Sequence, residues 1–343
     1  MKHASIVSRM LVLPLVLWAG VALGNDAPRA NAAGETIRRV QPKMVKVYGA
    51  GGFRGMEPYQ SGLLISPEGH VLTTFSYVLD TDYITATLDD GRRLEAKLLG
   101  ADPRLEIAVL KLDAEKLPAF DLGEAVEVEP GARVLAFSNL FGVAVGKEPL
   151  SVQHGIVSMT TDLAARRGVF ETPYDGPVYV LDAMTNNPGA AGGALVTRDG
   201  RLIGLLGKEL RNTRNHTWLN YAVPIAALRQ SVEAIRAGRM VAQRDDAQKK
   251  PDRPLQLAIV GLVLVPDVLE LTPPYVDLVY SGSPADRAGI RPDDLILLVG
   301  DRLVQSCKAL REELEYIDFE DPIRLTLLRD QEMIEVELQA RLD

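Results

Sequence analysis

A chain of 343 residues, 47% of them hydrophobic, is long enough to bury two cores of ordinary size. Its formal net charge of −8, with no basic cluster, makes nucleic acid and anionic membrane poor partners. A single cysteine, Cys307, excludes an intramolecular disulfide, a cysteine-based zinc site and paired-thiol chemistry. No motif calls for a metal or a cofactor.

Residues 1–24 read as a secretory signal. Lys2 and Arg9 open it, Met10 to Leu23 is an apolar run, and Ala22-Leu23-Gly24 offers small residues for cleavage. The run is short for a membrane span, which needs about 20 apolar residues, so export to the periplasm or beyond is expected. A retained N-terminal anchor is the alternative. Removing the leader takes away two positive charges and no acid, leaving the remainder more acidic.

From Met44 to Val223 short β-rich runs alternate with Gly, Pro, Asp and Asn. They are Met44–Tyr48, Gly62–Ser66, His70–Thr74, Tyr83–Leu88, Ala108–Leu112, Arg133–Phe137, Gly155–Ser158, Val178–Leu181, Leu195–Thr197 and Leu202–Leu206. Ser66-Pro-Glu-Gly69, Asp89-Asp-Gly91 and Arg198-Asp-Gly200 supply hairpin turns. Many short strands with almost no helical periodicity indicate an all-β barrel or sandwich over 36–237. Ile225, Leu228, Val232 and Ile235 recur at helical spacing and close that domain. A polar linker follows over 238–254. A smaller α/β unit then spans 255–342, with strands at Ala258–Leu264, Val276–Tyr280, Leu295–Val299, Ile323–Leu328 and Met333–Leu338 and a helix over Lys308–Ile317.

The most unusual segment is Asn187-Pro-Gly-Ala-Ala-Gly-Gly193. By itself it is either a tight turn or a nest of backbone N–H groups that holds an anion. Its context, Asp182-Ala-Met-Thr-Asn-Asn-Pro-Gly-Ala-Ala-Gly-Gly-Ala-Leu-Val196, resembles the nucleophile loop of the HtrA/Deg-type serine proteases, Asp-Ala-x-x-Asn-Pro-Gly-Asn-Ser-Gly-Gly-Pro-Leu-Val, with one extra residue before the proline. Ala191 stands where that family has its nucleophilic serine. Ser61-Gly-Leu-Leu-Ile-Ser-Pro-Glu-Gly-His-Val-Leu-Thr-Thr-Phe-Ser-Tyr-Val78 is similar to the segment that carries the general-base histidine, and Ser76 falls on that position. Glu106-Ile-Ala-Val-Leu-Lys111 places Glu106 on the orienting aspartate. Gly131–Gly142, Ser151–Ser158 and Asn220–Pro224 match further landmarks in order. The resemblance covers Val45 to Ile235 and implies a trypsin-like double β-barrel.

Chemistry follows from the departures. Ala191 has no heteroatom to attack with, and the Ser76 hydroxyl is too weakly basic to replace an imidazole. Only an oxyanion hole from the Gly189 and Ala191 N–H groups survives in the resemblance. Beyond the leader the histidines are His70, read as a solvated hairpin residue, His154, read as preceding a strand, and His216, in a polar loop. None is expected to replace the missing base.

Ser281-Gly-Ser-Pro-Ala-Asp-Arg-Ala-Gly-Ile-Arg-Pro-Asp-Asp-Leu-Ile296 resembles the signature of HtrA-associated PDZ domains, as do Val299-Gly-Asp301 and Leu328-Arg-Asp330. A PDZ domain adds a peptide to a sheet edge and holds its terminal carboxylate on backbone N–H groups. The matching loop is Val260, Gly261 and Leu262, facing a helix over Lys308–Leu314; Lys308 and Arg311 read as a solvated face. The expectation is a catalytically inactive HtrA-like scaffold or regulator that binds polypeptide segments or C-termini of envelope proteins. An active serine endopeptidase of envelope quality control is the alternative. A third reading is a subunit of a homotrimer or of a mixed assembly with active homologues.

Overall fold

The computed structural model describes residues 32–49, 58–79, 81, 83–167, 170–239, 250–267, 272–330 and 332–339. The signal reading over 1–24 and most of the linker reading lie outside them. Helix α1 (Ala32–Val40) leads into the first barrel. Its strands are β1 (Met44–Tyr48), β2 (Tyr59–Leu64), β3 (His70–Thr74), β4 (Ile84–Leu88), β5 (Arg93–Asp102) and β6 (Ile107–Leu112), closed in the order β1-β2-β3-β6-β5-β4.

The second barrel follows. Its strands are β7 (Arg133–Ser138), β8 (Ser151–Asp162), β11 (Pro177–Leu181), β12 (Ala194–Thr197), β13 (Leu202–Leu206) and β15 (Tyr221–Pro224), closed as β11-β15-β13-β12-β7-β8. Short strands β9 (Ala165–Arg167), β10 (Phe170–Glu171) and β14 (Arg211–Asn212) form a small separate sheet. Helix α2 (Ile225–Arg236) buries Ile225, Leu228, Val232 and Ile235, its 3.6-residue stripe, and closes the barrel pair.

Closure explains why the strands read as apolar runs with weak alternation. One face fills the barrel and the other lies under loops or the neighbouring barrel, so every residue of β4, β12 and β13 is buried. The turn residues do what their types allow: Gly69, Gly91 and Gly200 sit at φ of +90°, +87° and +84°.

The C-terminal unit comprises α3 (Leu257–Val260), β16 (Leu262–Leu264), β17 (Val276–Val279), α4 (Pro284–Arg287), β18 (Leu295–Val299), β19 (Arg302–Leu303), α5 (Cys307–Leu314), β20 (Ile323–Arg329) and β21 (Glu332–Leu338). β16 pairs with β17, and β19-β18-β20-β21 form the main sheet. Leu297, Leu298 and Leu303 share an apolar cluster with the first barrel, so the two units bury leucine surface against each other. The strand expected over Ala258–Leu264 is a helical turn for its first half, since Gly261 at φ +78° caps α3 before β16 starts. Helix α5 ends at Leu314 rather than at Ile317. His154 lies inside β8, exposed, instead of preceding it.

Candidate functional site

The Asn187–Gly193 loop is stitched into the seam between the barrels by its backbone. Ser61 N donates to Ala191 O at 2.9 Å, Gly192 N to Leu206 O at 2.9 Å, and Phe141 N to Pro188 O at 2.8 Å. Only glycine fits at 189 and 192. Their φ values are +88° and +79°, and an added Cβ would lie 2.0 Å from Asn139 O or 2.2 Å from Ser61 O. The Pro188 carbonyl is turned to Phe141, which in a trans peptide sends the Gly189 N–H to the opposite side. Among the described residues neither the Gly189 nor the Ala191 N–H finds a protein acceptor, and both residues line the cleft with Tyr59, Ser76, Pro188 and Lys208.

Ser76 has a structural task. Its Oγ donates to Gln60 Oε1 at 2.5 Å and accepts from Val78 N at 3.2 Å, capping the turn at Tyr77–Leu79. Gln60 is held in turn by Thr73 Oγ1 and Thr74 O. The structure brings Ser76, Gly189 and Ala191 to one cleft, as the motif order implied.

Glu106 ends the turn over 103–106 at φ +54°, a left-handed backbone uncommon for a non-glycine residue. Its carbonyl accepts from Phe75 N at 2.8 Å, which sets it beside the strand end that carries Ser76. Each carboxylate oxygen has one partner: Oε1 accepts from Lys208 Nζ at 2.8 Å and Oε2 from Thr172 Oγ1 at 2.6 Å. Only 17% of the Lys208 side chain and 16% of the Glu106 side chain are exposed. Sequence reasoning missed Lys208 and Thr172. Both lie outside the recognised motifs, and Glu106–Lys208 is a contact across 102 residues.

Among the described residues no other group supplies a base. His70 is half-buried with Nδ1 against Ser66 Oγ at 2.7 Å, which corrects the solvated reading; burial, with Arg236 and Lys111 nearby, pushes its pKa below the ordinary value. His154 and His216 are exposed, and none of the three lines the cleft. Burial drives the Tyr221 hydroxyl well above the ordinary range and the Tyr174 hydroxyl to about 12, so neither phenol ionises near neutrality. The Lys208 Nζ is paired with Glu106 Oε1.

In the C-terminal unit the Val260 and Leu262 side chains pack in the core, and Gly261 between them caps α3. A cavity at the start of α3 is lined by Leu255, Gln256, Leu257 and Ala258, and by Arg311, Leu314 and Glu315 at the end of α5. Arg311, read as solvated face, reaches across to Asp267 beyond β16 at 2.8 Å. Lys308 is exposed.

The trypsin-like peptidase domain model matches residues 60–205 and the PDZ domain model residues 275–329. The HtrA-type protease AlgW, solved with a tripeptide, superposes with a TM-score of 0.50 at 25% identity, over 90% of this chain and 96% of that one. The chain belongs to the HtrA family. Relatives named probable periplasmic serine endoprotease DegP-like include one from Ectopseudomonas mendocina, 32% identical over 79% of this chain and 54% of its own length. Another, from Chlamydia pneumoniae, is 26% identical over 80% of this chain and 53% of its own length. The HtrA-type chain spans about half the length of the curated relatives it matches. Among its described residues no helix is long and apolar enough to cross a membrane.

Proposed function

We propose that this HtrA-type chain has lost proteolysis and works in the cell envelope by holding polypeptide. The observation that carries the reading is the cleft itself, where the nucleophile and base positions are Ala191 and Ser76. A triad needs a hydroxyl, an imidazole and a carboxylate acting as a unit, and loss of one member costs roughly 10⁴ to 10⁶ in rate. What remains suits binding: the unpaired N–H groups of Gly189 and Ala191 form an oxyanion-hole-like cradle that accepts a peptide carbonyl. The α3 turn with Val260, Gly261 and Leu262, beside the cavity under α5, is the place for a chain terminus. Residues 1–24 act as the export signal, and envelope proteins supply the bound segments, with a trimer or a mixed assembly as the working unit.

The names of the relatives favour a second reading, an active serine endopeptidase of envelope quality control. Purified protein challenged with casein and with a fluorophosphonate probe separates the two. No label and no turnover are expected. Labelling or turnover that resists chelators refutes the binding-only reading.

A further inference from the structure

Ala191 and Ser76 explain the absence of a nucleophile and a base, but not the Lys208 ammonium within the same cleft. Lys208 is anchored at both ends. Its backbone N–H donates to Tyr221 Oη at 3.1 Å, and its Nζ donates to Glu106 Oε1 at 2.8 Å. With Thr172 on Oε2, each oxygen of the Glu106 carboxylate has a partner, and neither partner belongs to a catalytic arrangement. Ser76, meanwhile, donates its O–H to Gln60 Oε1. Lys208 lines both the cleft that holds Ser76 and Ala191 and the inter-barrel cavity that holds Glu106 and Tyr221, so it stands between the two.

We infer that Lys208 is a positioning residue that locks this site in a non-catalytic state by taking Glu106 out of use, independently of the losses at 191 and 76. The inference rests on the binding-only reading above. An orienting carboxylate does two things for an imidazole: it fixes the ring and tautomer through a hydrogen bond, and it stabilises the imidazolium. A carboxylate already paired with an ammonium does neither well, and the ammonium itself disfavours a second cation nearby. Returning serine to 191 and histidine to 76 therefore yields an imidazole without support.

The test compares the full chain carrying Ser76→His and Ala191→Ser with the same chain carrying Lys208→Met as well, which keeps the stem and removes the charge. NMR titration of the imidazole introduced at position 76 reads the environment directly. The double variant is expected to titrate at or below about 6.5, the ordinary imidazole value, and the triple variant about one pH unit or more higher. Fluorophosphonate labelling of the triple variant should be at least about 100-fold faster, a small part of the roughly 10⁴ that a correct orienting carboxylate supplies. Equal titration midpoints in the two variants overturn the inference, whatever the labelling rates. Should the triple variant not fold, Lys208→Gln in place of Lys208→Met answers the same question. The midpoint of the introduced imidazole should again rise by about one unit, and an unchanged midpoint overturns the inference. Turnover by the wild-type chain would instead refute the binding-only reading, and the comparison of imidazole midpoints would still report on Lys208.

Discussion

Asp294 closes the turn that leads into β18, and its partner Arg329 ends β20. Asp294 is fully buried. It accepts from Arg329 Nε at 2.7 Å, from Arg329 Nη2 at 2.7 Å and from Arg291 N at 2.8 Å, while Arg329 Nη2 also donates to Gly289 O at 2.6 Å. The two partners differ in what they leave behind. Arg329→Met strands a buried carboxylate with one amide donor, which costs about 3–5 kcal/mol. Asp294→Asn keeps the shape and an acceptor, and the guanidinium, with 18% of its side chain already exposed, can turn to water and retain Gly289. That change should cost about 2 kcal/mol, the worth of a charge-assisted hydrogen bond. The double variant should cost less than the sum by about 1–3 kcal/mol, because the second change removes the group the first one stranded. Urea titration of the full chain, with hydrogen exchange read on Leu295–Val299 and Ile323–Arg329, separates this unit from the barrels. A cost for Arg329→Met below about 1 kcal/mol, or strictly additive costs, would show that the carboxylate finds water and that the burial argument is wrong.

His70 is held neutral by burial next to Arg236 and Lys111, so its folded pKa is below its unfolded one. Its contribution is present above the unfolded value and is lost as pH falls from there through the folded value; His70→Gln should flatten the stability curve below about pH 6.5, and identical curves would contradict this. Lys46 is fully buried and its Nζ donates to Gly146 O at 2.5 Å and Glu148 O at 2.7 Å. Lys46→Met should cost about 2–3 kcal/mol and open residues 144–148 to hydrogen exchange; unchanged exchange there counts against the tether. Gly192→Ala combines φ +79° with a Cβ 2.2 Å from Ser61 O, whereas Gly131 at φ +92° has nothing within 4 Å. Thermal unfolding should show the first costing at least about 1 kcal/mol more than the second, since both share the left-handed penalty of about 1–2 kcal/mol.

The barrel strands were legible because each is a short apolar run bounded by turn residues whose backbone preferences are local. β5 was missed: its first half alternates the exposed charges Arg93, Glu95 and Lys97 with Leu94, Ala96 and Leu98, a period-2 pattern that the density of charge hid. The α3 turn was hidden for a different reason. Leu257-Ala-Ile-Val260 has strand composition, and only the left-handed Gly261, set against Ser283, ends it as a helical turn.

The site divides in the same way. Ala191, Ser76, Gly189 and the family pattern around them are facts of the chain, and the absence of nucleophile and base needs no coordinates. The geometry does: the outward Gly189 N–H depends on Phe141 holding Pro188, and the pairing of Glu106 depends on Lys208, far along the chain. Side-chain identity is a local property that a motif records. The partner of a charge is chosen by how the two barrels close on each other, and only the folded chain makes that choice.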